Sequence, residues 1–249
     1  MSDDVIRIYE EQYKDTGADG IYFQSFTETD VEYIGGKLIA QVVTEFVNSV
    51  ADKLLGKYPN LFIQFGLHAL SSVHNHLDYI SQIDKRVEIM WEDCGSFPYH
   101  YFPVIKSEKD YQTTVEYTDK IMNLRAEGSY SMLFKGLMTL DWEGERFVHQ
   151  SGPYILGVSN ERLIKHDIEM LKPTWRNYQS GWIQNGKYAY DMAKHIYENK
   201  SNVTVGMAAQ LAGGMWFPEA LCAQILWECD KPYAEIFDKV LKRRSVDIV

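Results

Sequence analysis

Positive charge is scarce in this 249-residue sequence, which carries 25 Lys and Arg against 35 Asp and Glu for a formal net charge of −10. That balance argues against nucleic acid as the main partner, because phosphate backbones are held by an excess of Lys and Arg. Cysteine is scarce as well. Cys94, Cys222 and Cys229 are an odd count without C-x-x-C spacing, so neither a disulfide framework nor a zinc site is expected. Cys222 and Cys229 fall on an expected helix, where buried packing accounts for them. No run of 18 apolar residues occurs, and Met1-Ser2-Asp3-Asp4 is polar and acidic with no apolar signal core. This predicts a cytoplasmic chain with no membrane partner. Asn199-Lys200-Ser201 and Asn202-Val203-Thr204 match the glycosylation sequon but carry no weight without a signal peptide. The phosphate-cradling glycine loops and the G-x-S-x-G elbow of serine hydrolases are absent too, which leaves nucleotide and serine-nucleophile chemistry without support.

What the sequence does contain is an alternation of strand-like and helix-like segments. Asp4–Lys14 reads as a helix, Ile21–Phe26 as a strand, and Val31–Leu55 as a long amphipathic helix with Ile39, Val42, Val43, Phe46, Val47, Val50 and Leu54 at helical spacing. Leu61–Gly66 is the next strand, Ala69–Ile83 a helix, and the run ending at Trp91 a third strand. Glu108–Ala126 reads as a helix and Tyr130–Leu140 as a strand, with Tyr154–Val158 a weaker candidate strand. Helices are expected over Asn160–Leu171, Trp175–Asn199, Pro218–Glu228 and Lys231–Arg243, while Val203–Gln210 is open between strand and helix. With no linker, repeat or low-complexity tract, one domain over 1–249 is the simplest account. The alternation predicts α/β architecture with a parallel sheet, and a (β/α)8 TIM-like barrel is its natural form. A doubly wound sheet competes, but it lacks its glycine fingerprint here. Four clear strands and one or two weaker ones fall short of eight, so an incomplete barrel, or the later part of a larger one, belongs to the expectation.

The chemistry gathers at the strand ends. Val87–Pro98 alternates apolar residues, then delivers Trp91, Glu92 and Asp93 into a turn. Gly20–Phe26 leads to Glu28, and Leu133–Leu140 leads to Asp141 and Trp142. An acid at the carboxyl end of three strands, beside aromatic rings, is what acid–base work on a sugar requires. Glycoside hydrolysis takes one carboxylic acid to protonate the leaving oxygen and a second carboxylate as base or nucleophile. Glu28, Glu92, Asp93 and Asp141 are the candidates. Successive residues of a strand point to opposite faces, so only one of Glu92 and Asp93 is expected to enter the site. The plain alternative for each acid is a solvated loop carboxylate or a helix cap, and Glu28-Thr29-Asp30 has the look of a cap. Trp91, Trp142, His68, Gln150 and Trp216 are candidates to contact the sugar; the competing reading is capping and packing for His68, a surface loop for Gln150 and core packing for Trp216. Gln24 and Gln64 sit inside strand runs, where an amide facing a barrel centre needs polar partners. His74 and His76 are about 200° apart at helical spacing, which does not favour a shared metal. Aromatics at 14% suit either a large aromatic core or a groove of rings stacking on sugar faces.

These residues resemble a known family. Trp216–Phe237 resembles the closing helices of several (β/α)-barrel glycoside hydrolases, and the middle of the chain distantly resembles the catalytic barrel of α-glucuronidases. Met90–Pro98 is similar to the strand end that carries one of that family's basic carboxylates, Leu137–Trp142 is placed like the other, and Glu28 is placed like the general acid. The sequence departs from the pattern in having Asp141 where the family has Glu, and in lacking the N-terminal domain and early strands. The resemblance therefore implies the clan and its chemistry, not glucuronic acid.

The expectation is a glycosidase acting on an oligosaccharide or glycoside, without a cofactor or metal, with a carbohydrate as its partner and self-association left open. Two rivals stand beside it. One is a non-catalytic carbohydrate-binding or assembly component. The other is a metal-dependent barrel isomerase or lyase, whose Mg²⁺ or Mn²⁺ would be held by carboxylate and His ligands.

Overall fold

The computed structural model describes residues 1–24, 29, 31–67, 72–94, 107–137, 161–199, 203–209 and 216–244, some by backbone alone. The chain opens with α1 (Ser2–Ile8), which runs on into a π-helical turn at Tyr9–Tyr13, and then forms β1 (Gly20–Phe23). The next segment departs from the sequence expectation. Instead of one helix from Val31, the chain makes a hairpin of β2 (Tyr33–Ile34) and β3 (Lys37–Leu38), and α2 starts only at Ile39 and ends at Lys57. The cause is Gly35-Gly36. Both glycines adopt positive φ, 57° and 81°, the backbone that a two-residue hairpin turn of the right twist requires.

Next come β4 (Phe62–Leu67), a 3₁₀ turn at Ser72–His76, the short α3 (Leu77–Ile80), β5 (Val87–Cys94), α4 (Glu108–Met122) and β6 (Tyr130–Leu137). The segment from Ala69 was expected as one helix; its described part is this 3₁₀ turn and a single α-turn. α5 (Glu161–Asn199) is one helix through Pro173 rather than two. A proline withdraws a single N–H from the ladder, and the rest of the ladder runs on. Val203–Ala209 resolves as strand β7, followed by α6 (Trp216–Trp227) and α7 (Tyr233–Arg244). The expected strand at Tyr154–Val158 lies outside the described residues.

The main sheet is five-stranded and parallel, in the order β1-β4-β5-β6-β7. This is chain order with no reversal, so the described sheet is not doubly wound, a form that needs a switch point. Five strands are described where a closed barrel of this class has eight. When neighbouring parallel strands follow chain order, right-handed crossovers carry every connecting helix to the same face. Ring contacts bear this out for α2 and α4. Phe23 of β1 meets Phe46 of α2 at 5.8 Å, and Trp91 of β5 meets Tyr117 of α4 at 5.1 Å. The register aligns Phe23, Phe65 and Ile89 on that helix-covered face, with Leu67 opposite Trp91. All five residues are buried.

The chain divides into two compact units: 1–94 with 116–133 and 200–204, and 95–115 with 134–199 and 205–249. In the first, α2 buries Val43, Val47, Val50 and Leu54, and α1 and the π-helical turn after it lie along α2 through the Lys53–Asp3 and Lys57–Glu10 ion pairs, each 2.6 Å. Arg125 clamps the amino-terminal end of β5, donating to the carbonyls of Asp84 at 3.0 Å and Val87 at 2.9 Å. In the second unit, a chain of rings joins Tyr190, Tyr233, Phe237 and Phe217 between α5, α7 and α6, with Tyr190 also donating to the Lys231 carbonyl at 2.8 Å. Cys222 is buried there, and burial pushes its thiol up to about 12.

Just past α6, Glu228 receives Lys231 at 2.9 Å and Lys239 at 2.8 Å, tying the turn to α7. Hydrogen bonds from Lys239 and Lys231 hold its carboxyl down at about 2, from an ordinary 4.5. A folded-state value below the unfolded one adds stability above about pH 4.5 that is lost as pH falls toward 2. Glu228→Gln is therefore expected to melt below the parent at neutral pH, the gap closing as pH falls through that window. Thermal melts across a pH series check this, and a constant gap contradicts it.

Candidate functional site

The sheet face opposite the helices gathers polar side chains, with Phe62 and Met90 among them. Residues there come from the alternate positions of the same strands: Tyr22 pairs across to Gln64, Gln64 to Glu88, and Gly66 to Met90. On β5 the sequence carries two patterns at once, apolar at Val87, Ile89 and Trp91 and polar at Glu88 and Glu92. A parallel sheet covered by helices on both sides would be apolar on both faces.

Two rows of hydrogen bonds occupy this face. In the lower row, Gln64 Nε2 donates to Glu88 Oε1 at 2.7 Å and approaches Ser131 Oγ at 3.3 Å, while the Ser131 hydroxyl donates to the same Glu88 oxygen. These bonds satisfy a carboxylate that is 6% exposed in mid-sheet. In the upper row, at the carboxyl ends of the strands, Glu92 is 5% exposed. The Tyr22 hydroxyl donates to its Oε1, and Gln24 Nε2 donates to its Oε2 at 2.9 Å.

Tyr22 and Glu92 sit on strands that flank β4, and they meet because β4 offers no side chain between them. A Cβ on Gly66 would occupy the space of the Tyr22 hydroxyl and of Glu92 Oε1. Gly66→Ala is thus expected to part the pair and to lower stability by about 1–3 kcal/mol, the usual cost of overpacking. Denaturant unfolding measures the loss, and an unchanged midpoint contradicts the assignment.

Of the residues singled out in the sequence, the structure brings Gln24 and Glu92 into direct contact. Gln64 finds the polar partners that its position demanded. Trp91 is corrected. It was expected to hold a sugar, but it is fully buried on the helix-facing side against Tyr117, so its ring belongs to the core. Asp93 follows Glu92 on β5, and Trp216 opens α6; the side chains of both lie outside the described residues. Glu28, His68, Asp141, Trp142 and Gln150 lie outside them as well. His76 pairs with Glu32 at 2.9 Å. Among the described residues, no group of three or more His, Cys, Asp or Glu is arranged to hold a metal ion.

Sequence reasoning missed Tyr22, Gly66, Glu88 and Ser131. The signal for Tyr22 and Glu88 was present, since they share strand parity with Gln24 and Glu92. Tyr22 is 43% exposed on the polar face, so it presents an aromatic surface beside the carboxylate. Neutral donors thus orient both oxygens of the Glu92 carboxylate. The arrangement can take up a proton or attack an electrophilic carbon. Comparison with protein-family models, curated proteins and solved structures gives no match for this chain.

Proposed function

We propose that this chain is a glycoside hydrolase of the (β/α)-barrel class, cleaving an oligosaccharide or glycoside through paired carboxyl groups, with Glu92 as one of the pair. The observation that carries the reading is the buried Glu92 carboxylate at the carboxyl end of a parallel strand, oriented by Tyr22 and Gln24. Active sites of barrel enzymes lie at that end of the strands. A polar face opposite the helices, with strands in chain order, suits the interior of a barrel better than an open sheet covered on both sides. The half-exposed Tyr22 ring takes the role of a stacking surface for sugar C–H groups. Asp93, Glu28 and Asp141 are the candidates for the second carboxyl group, on their sequence positions at strand ends. The distant resemblance to α-glucuronidases fits the same clan, with the sugar left undefined.

A panel of aryl glycosides incubated with the purified chain tests the reading. Release of the aryl group, absent when Glu92 is changed, is the expected result. Calorimetric sugar binding with every glycoside intact would instead make the chain a binding component and overturn the proposal.

A further inference from the structure

Resting on the reading of Glu92 as a catalytic carboxyl group, we infer that Tyr22 is a positioning residue that keeps Glu92 ionised, so that Glu92 is the base or nucleophile and a different carboxyl group is the acid. The role follows from the donors. The Tyr22 hydroxyl is the donor in its bond to Glu92, and the Gln24 amide nitrogen can only donate. Each is bonded to a different oxygen of Glu92. Donors on both oxygens favour the charged form of a carboxyl group, and bonds of this kind are the stronger ones. A general acid needs the opposite, an environment that keeps its proton on.

The sequence makes room for this contact at a cost. Gly66 leaves the strand between the two groups without a side chain, exactly along the path that the tyrosine crosses. A tie between β1 and β5 made only for stability would not need a carboxylate, since burying a charge is expensive and apolar packing serves as well. The described groups on this face near Glu92 include Tyr22 and Gln24 from β1, Gly66 from β4, Ser131 from β6, and Met90 and Glu88 from its own strand. Glu88, the other ionisable carboxyl group there, is four residues away, about 13 Å along an extended strand, and is engaged by Gln64 and Ser131.

As base, Glu92 takes a proton from the water whose oxygen attacks the anomeric carbon. As nucleophile, its oxygen bonds to that carbon and water later displaces it. In both cases the separate acid gives its proton to the departing glycosidic oxygen, so charge and protons balance.

Tyr22→Phe keeps the ring and removes the donor. Two readouts on the folded variant decide the matter: carbon-13 NMR titration of the Glu92 carboxyl, assigned with Glu92→Gln, and the pH profile of kcat/KM on an aryl glycoside. The titration midpoint of Glu92 should rise by about one pH unit or more, as expected for losing one hydrogen bond to a charged group. The acidic limb of the profile should rise with it while the alkaline limb stays in place. Gln24→Leu, at an exposed position, should move both in the same direction and serves if Tyr22→Phe does not fold. An unmoved midpoint overturns the tyrosine's role, and a shift of the alkaline limb makes Glu92 the acid. If the parent chain cleaves no glycoside, the catalytic assignment falls with the reading beneath it, while the NMR midpoint still decides whether Tyr22 holds the charge.

Discussion

Glu92→Gln is expected to lower kcat/KM on a reactive aryl glycoside by at least about a hundredfold, within the 10²–10⁴ range typical of acid–base residues. The substitution keeps the length and shape of the side chain and the acceptor oxygen facing Tyr22. It removes the negative charge and the basicity. If the carboxylate only braced β1 against β5, the amide would brace them nearly as well and turnover would change little. The loss should appear mainly in kcat, because the missing group acts on the transition state and not on ground-state sugar contacts. Near-UV circular dichroism and the melting temperature establish that the variant is folded before the rates are compared.

The second large effect belongs to a residue that the sequence suggested for sugar binding. Trp91→Ala is expected to cost about 3–5 kcal/mol of stability, the range for deleting a large buried ring. For a chain of this size that corresponds to a melting temperature lower by roughly 6–20 °C. The basis is its complete burial and its contact with Tyr117 at 5.1 Å. Its indole N–H has no acceptor among the described residues, so the side chain contributes by packing and not by polar contacts. A sugar-holding tryptophan would show the reverse signature, weakened affinity with the melting temperature nearly unchanged. Denaturant unfolding beside calorimetry with the hydrolysed glycoside separates the two.

The contrast between Trp91 and Glu92 shows what the sequence made legible. Strand alternation placed β5 and β6 and showed that neighbouring residues of β5 face opposite ways. It did not say which parity faces the helices, because that depends on partners elsewhere in the chain, Tyr117 for Trp91 and Tyr22 for Glu92. The polar demand of Gln24 and Gln64 was readable from their positions in apolar runs, but their partners were not. A hydrogen bond between residues 70 positions apart leaves no trace in local periodicity. The hairpin before α2 was missed because the helical spacing from Ile39 onward is strong enough to absorb the preceding residues, although Gly35-Gly36 announced the turn. Pro173 misled in the other direction, since the long ladder of α5 tolerates one missing donor. The parallel α/β architecture was legible because alternating strand and helix segments leave few other ways to pack.

The central claim is that Glu92 is a reacting group and not one more buried carboxylate of a polar sheet face. Glu88 supplies the internal control, being equally buried on the same strand and face but one row further from the strand ends. The most direct measurement is kcat/KM for Glu92→Gln and Glu88→Gln side by side, on one glycoside and at a temperature where both are folded. A loss of at least about a hundredfold for Glu92→Gln, with Glu88→Gln within about tenfold of the parent, is the predicted result. Equal losses in both variants, or full activity in Glu92→Gln, would contradict it.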